Sequence, residues 1–112
     1  MVETMLGKIK RVHVGRCGYQ DAMLGIAFEL GGEGWDIGDY KAFWDASTIE
    51  CSSSSEWTEA DRGRKYEEVM RYISDLLDKA KVSKVSELEG MPVEVTTEDR
   101  VLKSWRVLTE VL

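Results

Sequence analysis

From Met23 to Leu30 the chain alternates, with Leu24, Ile26, Phe28 and Leu30 on one side and Met23, Gly25, Ala27 and Glu29 on the other. That period of two is the signature of a strand with one buried face. Upstream, Lys8 to Val14 reads K-I-K-R-V-H-V, β-branched and partly alternating, and Gly15 and Gly18 then supply a turn, so a first strand is predicted there. Gly31-Gly32-Glu33-Gly34 suits a tight reversal, because glycine tolerates positive φ. Trp35 to Trp44 follows as a third strand or, since Gly38 and the aspartates weaken the pattern, as a long loop.

The rhythm changes after Thr58, a helix-capping residue with Glu59 and Asp61 placed in the first turn, where the helix dipole favours carboxylates. Tyr66, Val69, Met70, Ile73, Leu76, Leu77 and Ala80 recur at steps of three and four, an apolar stripe that predicts a helix of about six turns from Thr58 to Lys81. Val82 to Gly90 reads as a connector anchored by Val85 and Leu88, and Gly90 and Pro92 stop any helix. A strand from Val93, a polar turn over Thr97 to Arg100 and an apolar run from Val101 to Leu112 make a closing hairpin. The fold class expected is α+β: an antiparallel sheet of about five strands in the order β-β-β-α-β-β, packed against one long helix.

A chain of 112 residues, 43% hydrophobic and 32% charged, has the size and apolar content of a single domain, here 1–112. The segment 46–56, with the run Ser52-Ser53-Ser54-Ser55, is expected to be a mobile connector, because short polar side chains compete for local backbone hydrogen bonds and form no core. No run approaches the roughly 20 apolar residues of a membrane span, and no secretory leader pattern opens the chain. The expected location is the cytoplasm, with Cys17 and Cys51 as reduced thiols and no membrane contact.

Charge narrows the partners. A net charge of −6 and a pI near 4.8 disfavour direct nucleic-acid binding, which is built from clustered Lys and Arg. Residues 21–60 carry nine acids against the single Lys41 and net −8, so a protein with a basic surface fits better. Trp35, Tyr40, Phe43, Trp44 and Trp57 interleave with those acids, a mixture that offers interface anchors together with long-range attraction. Asp36, Asp39, Tyr40, Trp44 and Asp45 are the candidate partner-binding residues; the competing reading is a solvated acidic edge whose aromatics turn into the core.

Catalytic and metal chemistry finds little support. His13, Cys17 and Cys51 lack a fourth zinc ligand at a defined spacing, so no metal and no cofactor is expected. A nucleophilic Cys17 beside Arg16 and His13 competes with a buried, inert thiol, and with one histidine and no nucleophile elbow no enzyme is expected and no catalytic residue is assigned. Gly15-Arg16-Cys17-Gly18-Tyr19 is either a glycine turn or a recognition loop for a small anion. Under the second reading Arg16, Tyr19, Gln20 and Asp21 are candidate ligand-binding residues.

The stretches V-G-R-C-G-Y-Q-D-A-M-L-G-I from Val14, G-E-G-W-D-I-G-D-Y from Gly32, W-T-E-A-D-R from Trp57 and S-W-R-V-L-T-E-V-L from Ser104 resemble a family of small, mostly uncharacterised phage and prophage proteins. That resemblance implies a phage context and, by analogy with small acidic phage proteins, an anti-CRISPR-like inhibitor of a bacterial defence component in the host cytoplasm. The acids occupy one segment rather than the whole chain, which points away from complete DNA mimicry and toward a local acidic, aromatic plug. Two alternatives accompany it. One is a binder that sequesters a nucleotide signal at Arg16, Tyr19 and Gln20. The other is a phage structural or replication accessory, whose apolar edge Val101 to Leu112 would pair in a homodimer.

Overall fold

A computed structural model describes residues 1–111 and has the expected α+β architecture. The strands are β1 (Val2–Cys17), β2 (Met23–Gly32), β3 (Trp35–Trp44), β4 (Pro92–Glu98) and β5 (Val101–Val107), with α1 (Glu59–Ala80) between β3 and β4. All pairs are antiparallel, and the order across the sheet is β3-β2-β1-β4-β5. Trp35 to Trp44 is therefore a strand, paired along its whole length with β2.

The first strand is longer than the sequence pattern predicts, 16 residues rather than Lys8 to Val14. Its two halves serve different partners: Val2 to Lys8 pairs with β4, and Lys8 to Cys17 pairs with β2. A register shift between Ile9 and Arg11 marks a bulge at Lys10. The extra residue reverses the parity of the strand. Ile9, opposite Leu30, and Val12, opposite Phe28, consequently both face the helix, which a strict alternation would forbid.

The helix begins and ends as its sequence directs. Thr58 Oγ1 accepts from the Asp61 amide at 3.1 Å while Asp61 Oδ2 accepts from the Thr58 amide at 2.8 Å, a reciprocal capping box. Lys81 closes the other end in the left-handed region at φ 60°, and Val82 N–H donates to the Leu77 carbonyl at 3.1 Å. Val69, Leu76 and Ala80 are buried and Tyr66, Ile73 and Leu77 half-buried, but Met70 is 65% exposed, so the stripe is narrower than predicted. The core joins Ile9, Ile26, Phe28, Leu30, Val93, Val95 and Val107 of the sheet to Leu76 and Ala80, with Leu88 inserted from a 3₁₀ turn at Val85–Leu88.

The β2–β3 and β4–β5 hairpins reverse at positive φ. Gly34 sits at φ 81° between β2 and β3. Asp99 at 52° and Arg100 at 68° form the two-residue link between β4 and β5, as a type I′ turn requires. The closing strand stops at Val107, where Leu108 N–H turns to the Pro92 carbonyl at 2.9 Å; a 3₁₀ turn follows at Thr109–Val111, and Leu112 lies outside the described residues. The sheet is strongly curled. β3 and β5 are its opposite edges, yet Trp105 Nε1 donates to Asp39 Oδ2 across 2.7 Å. Phe28 lies beside that indole, edge-on at 4.9 Å, and 6.3 Å from the Tyr72 ring of α1.

Candidate binding site

The loop from β1 to β2 projects Tyr19, Gln20 and Asp21. Gly18 enters it at φ 74°, and Gln20 and Asp21 follow at 51° and 54°, a succession of left-handed residues held by Asp21 N–H to the Gly18 carbonyl and Ala22 N–H to the Tyr19 carbonyl. With the backbone turned outward in this way, Tyr19 is 64% exposed, and Gln20 and Asp21 are exposed beside it. Arg16 does not share their freedom. Its Nε donates to Asp45 Oδ2 at 2.8 Å and its second guanidinium nitrogen, Nη2, to Ser47 Oγ at 2.9 Å.

The structure therefore fuses the two groups of candidate residues, Arg16 from one and Asp45 from the other. The Asp45 amide also donates to the Ala22 carbonyl at 2.9 Å, fastening the start of the 45–58 connector to the β1–β2 loop. The Arg16 hydrogen bond, followed by that from the Ser47 amide, holds the Asp45 carboxyl below its ordinary value. A depressed folded pKa stabilises the fold above the unfolded value and loses that contribution as pH falls through the folded one. Asp45→Asn is expected to flatten the acid limb of a stability-versus-pH curve below about pH 4, measured by thermal melts; an unchanged acid limb would refute it.

Strand alternation divides the β3 candidates. Asp36, Tyr40 and Trp44 share the face away from the helix, whereas Asp39 points to the helix side and accepts the Trp105 indole. Asp36 pairs with Lys10 at 2.6 Å, and Tyr40 is 47% exposed. Trp44 is half-buried opposite Met23, and its carbonyl accepts from Tyr66 Oη at 2.9 Å and from Arg62 Nη1 at 3.2 Å.

Arg62 is the residue that sequence reasoning missed. It is only 3% exposed, donates to the carbonyls of Trp44 and Ile49 and to Glu59 Oε1, and lies 4.6 Å over the Trp57 ring, which meets Phe43 edge-on at 5.3 Å. Trp57 and Phe43 thus help fix the connector to the helix. The signal that could have found Arg62 is the helix-start spacing W-T-E-A-D-R, which returns a guanidinium beside a tryptophan one turn and a half earlier.

Those pairings redraw the electrostatics. Of the nine acids in 21–60, Glu29, Asp36, Asp45 and Glu59 each pair with a cation from outside the segment, namely Arg11, Lys10, Arg16 and Arg62. Asp21, Glu33, Glu50 and Glu56 are exposed and have no ion pair among the described residues. Cys17 is buried, and its thiol is pushed up by burial and then by Asp21, which favours the thiol over the thiolate. No cluster of three or more His, Cys, Asp or Glu residues suited to a metal ion occurs among the described residues.

The sheet face away from the helix exposes Arg11, His13, Asp36 and Tyr40, while its far row, Cys17–Met23–Trp44, is buried or half-buried. Its cross-strand rows run Arg11–Glu29–Gly38, His13–Ala27–Tyr40 and Gly15–Gly25–Ala42. A depression of about 510 Å3 lies on this face, its lining including Arg11, His13, Ala27, Glu29, Asp36 and Gly38. Compared with protein-family models, with curated proteins and with solved structures, the chain matches none.

Proposed function

We propose that this chain is a non-catalytic binding protein, encoded by a phage or prophage, that inhibits a bacterial defence protein by occupying a basic surface on it. The observation that carries the reading is the end of the sheet where Tyr19 and Asp21 project from a hydrogen-bonded left-handed turn, tied through Asp45 and Arg16 to the connector that bears Glu50 and Glu56. An exposed aromatic anchor beside unpaired carboxylates favours a basic groove by contact and by long-range steering. A CRISPR effector, whose channel is positively charged to hold nucleic acid, is a target of the required chemistry in the host cytoplasm.

Asp39 and Asp45 then act as scaffold, because their carboxylates already serve Trp105 and Arg16. The test is capture of purified CRISPR effectors by the immobilised chain at two salt concentrations. Tyr19→Ala is expected to weaken capture by about 2 kcal/mol, the size of an aromatic hot spot. Neutralising Asp21, Glu50 and Glu56 together should slow association and remove its salt dependence. Trp44→Ala, whose melting temperature reports whether that ring is scaffold, serves as the control for folding. Capture that is equal for all variants at matched stability would overturn the proposal.

A further inference from the structure

We infer that the outer face of β1–β2–β3 around Ala27 is a nucleotide site, seating one flat base over Ala27 with its phosphate toward Lys10 and Arg11. The inference is independent of the inhibitor reading and uses the opposite side of β1 from the helix.

The register places His13, Ala27 and Tyr40 in one row across three strands. At about 4.8 Å per strand, the two ring-bearing residues stand roughly 10 Å apart at their Cα atoms. A planar ring stacked on both sides needs about 7 Å between its walls, so the wider spacing lets a ring laid over the Ala27 methyl stack on one wall with its edge toward the other. Both walls are exposed, and neither belongs to the core. His13 leans over Gly15, where an added Cβ would lie 3.8 Å from its ring carbon, and its Nε2 is 3.3 Å from the Arg16 carbonyl, which fixes the ring rather than leaving it loose.

The floor continues as Gly38 in the adjoining row, and the depression of about 510 Å3, which His13 and Ala27 line from this row and Arg11, Glu29 and Gly38 from the next, falls within the roughly 300–1,000 Å3 of small-ligand sites. Rows on one face are about 6.8 Å apart along a strand, comparable to the step from a base to its 5′-phosphate. In that next position stands Arg11, whose two contacts with Glu29, from Nε at 2.8 Å and Nη2 at 2.6 Å, both end on Oε2. The guanidinium keeps further donors for a phosphate, and Glu29 Oε1 remains as an acceptor for a base amino or imino hydrogen. One row further, the Lys10–Asp36 pair lies across Gly31, where a Cβ would come within 2.5 Å of Asp36 Oδ1 and 2.7 Å of Lys10 Cε. The bulge at Lys10 is what brings its ammonium onto this face beside Arg11.

The test is an amide-resolved NMR titration of the full chain with the 5′-monophosphates of adenosine, guanosine, cytidine and uridine, with the matching nucleosides and with inorganic phosphate. At least one monophosphate should move the amides of Ala27 and Gly38 and the ring protons of His13. His13→Ala and Tyr40→Ala, both at exposed positions, should each weaken it at least about fivefold, as loss of base stacking does. Arg11→Ala should weaken the monophosphate while leaving its nucleoside unchanged. Tighter binding of a short single-stranded oligonucleotide at the same amides would support the base slot and identify a polymer as its source. No response to any base at about 5 mM, or a response to inorganic phosphate that equals the best nucleotide, would overturn the inference.

Discussion

Replacing Phe28 by alanine is expected to cost about 3–5 kcal/mol, enough to unfold most of a domain whose total stability is of the order of 5–15 kcal/mol. Phe28 is 4% exposed and sits where three elements meet, edge-on to Trp105 of β5 and to Tyr72 of α1, with Val12 opposite it on β1. Removing the ring opens a cavity and deletes two aromatic contacts at once, and the curled sheet cannot close over the gap without moving both edges. Chemical denaturation of Phe28→Ala beside Phe28→Leu checks it. A leucine that recovers most of the loss supports volume as the cause, whereas a wild-type midpoint for the alanine variant would refute the packing account.

Trp105→Ala has the second largest expected effect, about 3 kcal/mol, because the indole both fills the interior and satisfies Asp39 from the far edge of the sheet. Trp105→Phe separates the two contributions. It keeps most of the ring against Phe28 but leaves the half-buried Asp39 carboxylate without its donor, an expected cost of about 1–3 kcal/mol. If Trp105→Phe and Trp105→Phe/Asp39→Asn melt at the wild-type temperature, the cross-sheet hydrogen bond contributes nothing to the fold.

The contrast between Met23–Leu30 and Val2–Gly7 shows what the amino-acid pattern can convey. The first lies inside the sheet, flanked by β1 and β3, and its burial on one face imposes a period of two that is visible locally. The second is a strand because β4, more than 80 residues away, hydrogen-bonds to it, and nothing in its own largely exposed side chains demands that partner. The bulge at Lys10 is hidden for the same reason: alternation presumes an unbroken pleat, and an inserted residue changes parity without changing composition. Thr58 and Asp61 were legible because a capping box is closed within one turn.

At the candidate site the acids could be counted but not their partners. Asp45 and Asp39 looked like free charge until Arg16 and Trp105 arrived from distant strands, and Arg62 looked like an ordinary helix-surface cation until the connector carbonyls of Trp44 and Ile49 supplied a reason to bury it. Tyr19, Gln20 and Asp21 fared better, since a glycine-flanked polar loop is exposed by its backbone alone.

The division of β1 between two hairpins also bears on how the chain acquires its structure in time. Its second half pairs with β2, and β2 with β3, through short loops, so a three-stranded meander can form while the remainder is still a coil, at small loop-closure entropy. Its first half must wait for a hairpin from the other end of the chain, Val2 against Glu98, the most non-local strand pairing among the described residues. Pulse-labelled hydrogen exchange during refolding is therefore expected to protect β2 and β3 amides before those of Val2 to Gly7, and simultaneous protection of all five strands would refute that order. Until the late step is complete, an unpaired β1 segment remains open to strands of other molecules, so the same shared strand that unifies the sheet sets the interval in which a newly made chain is most exposed to aggregation.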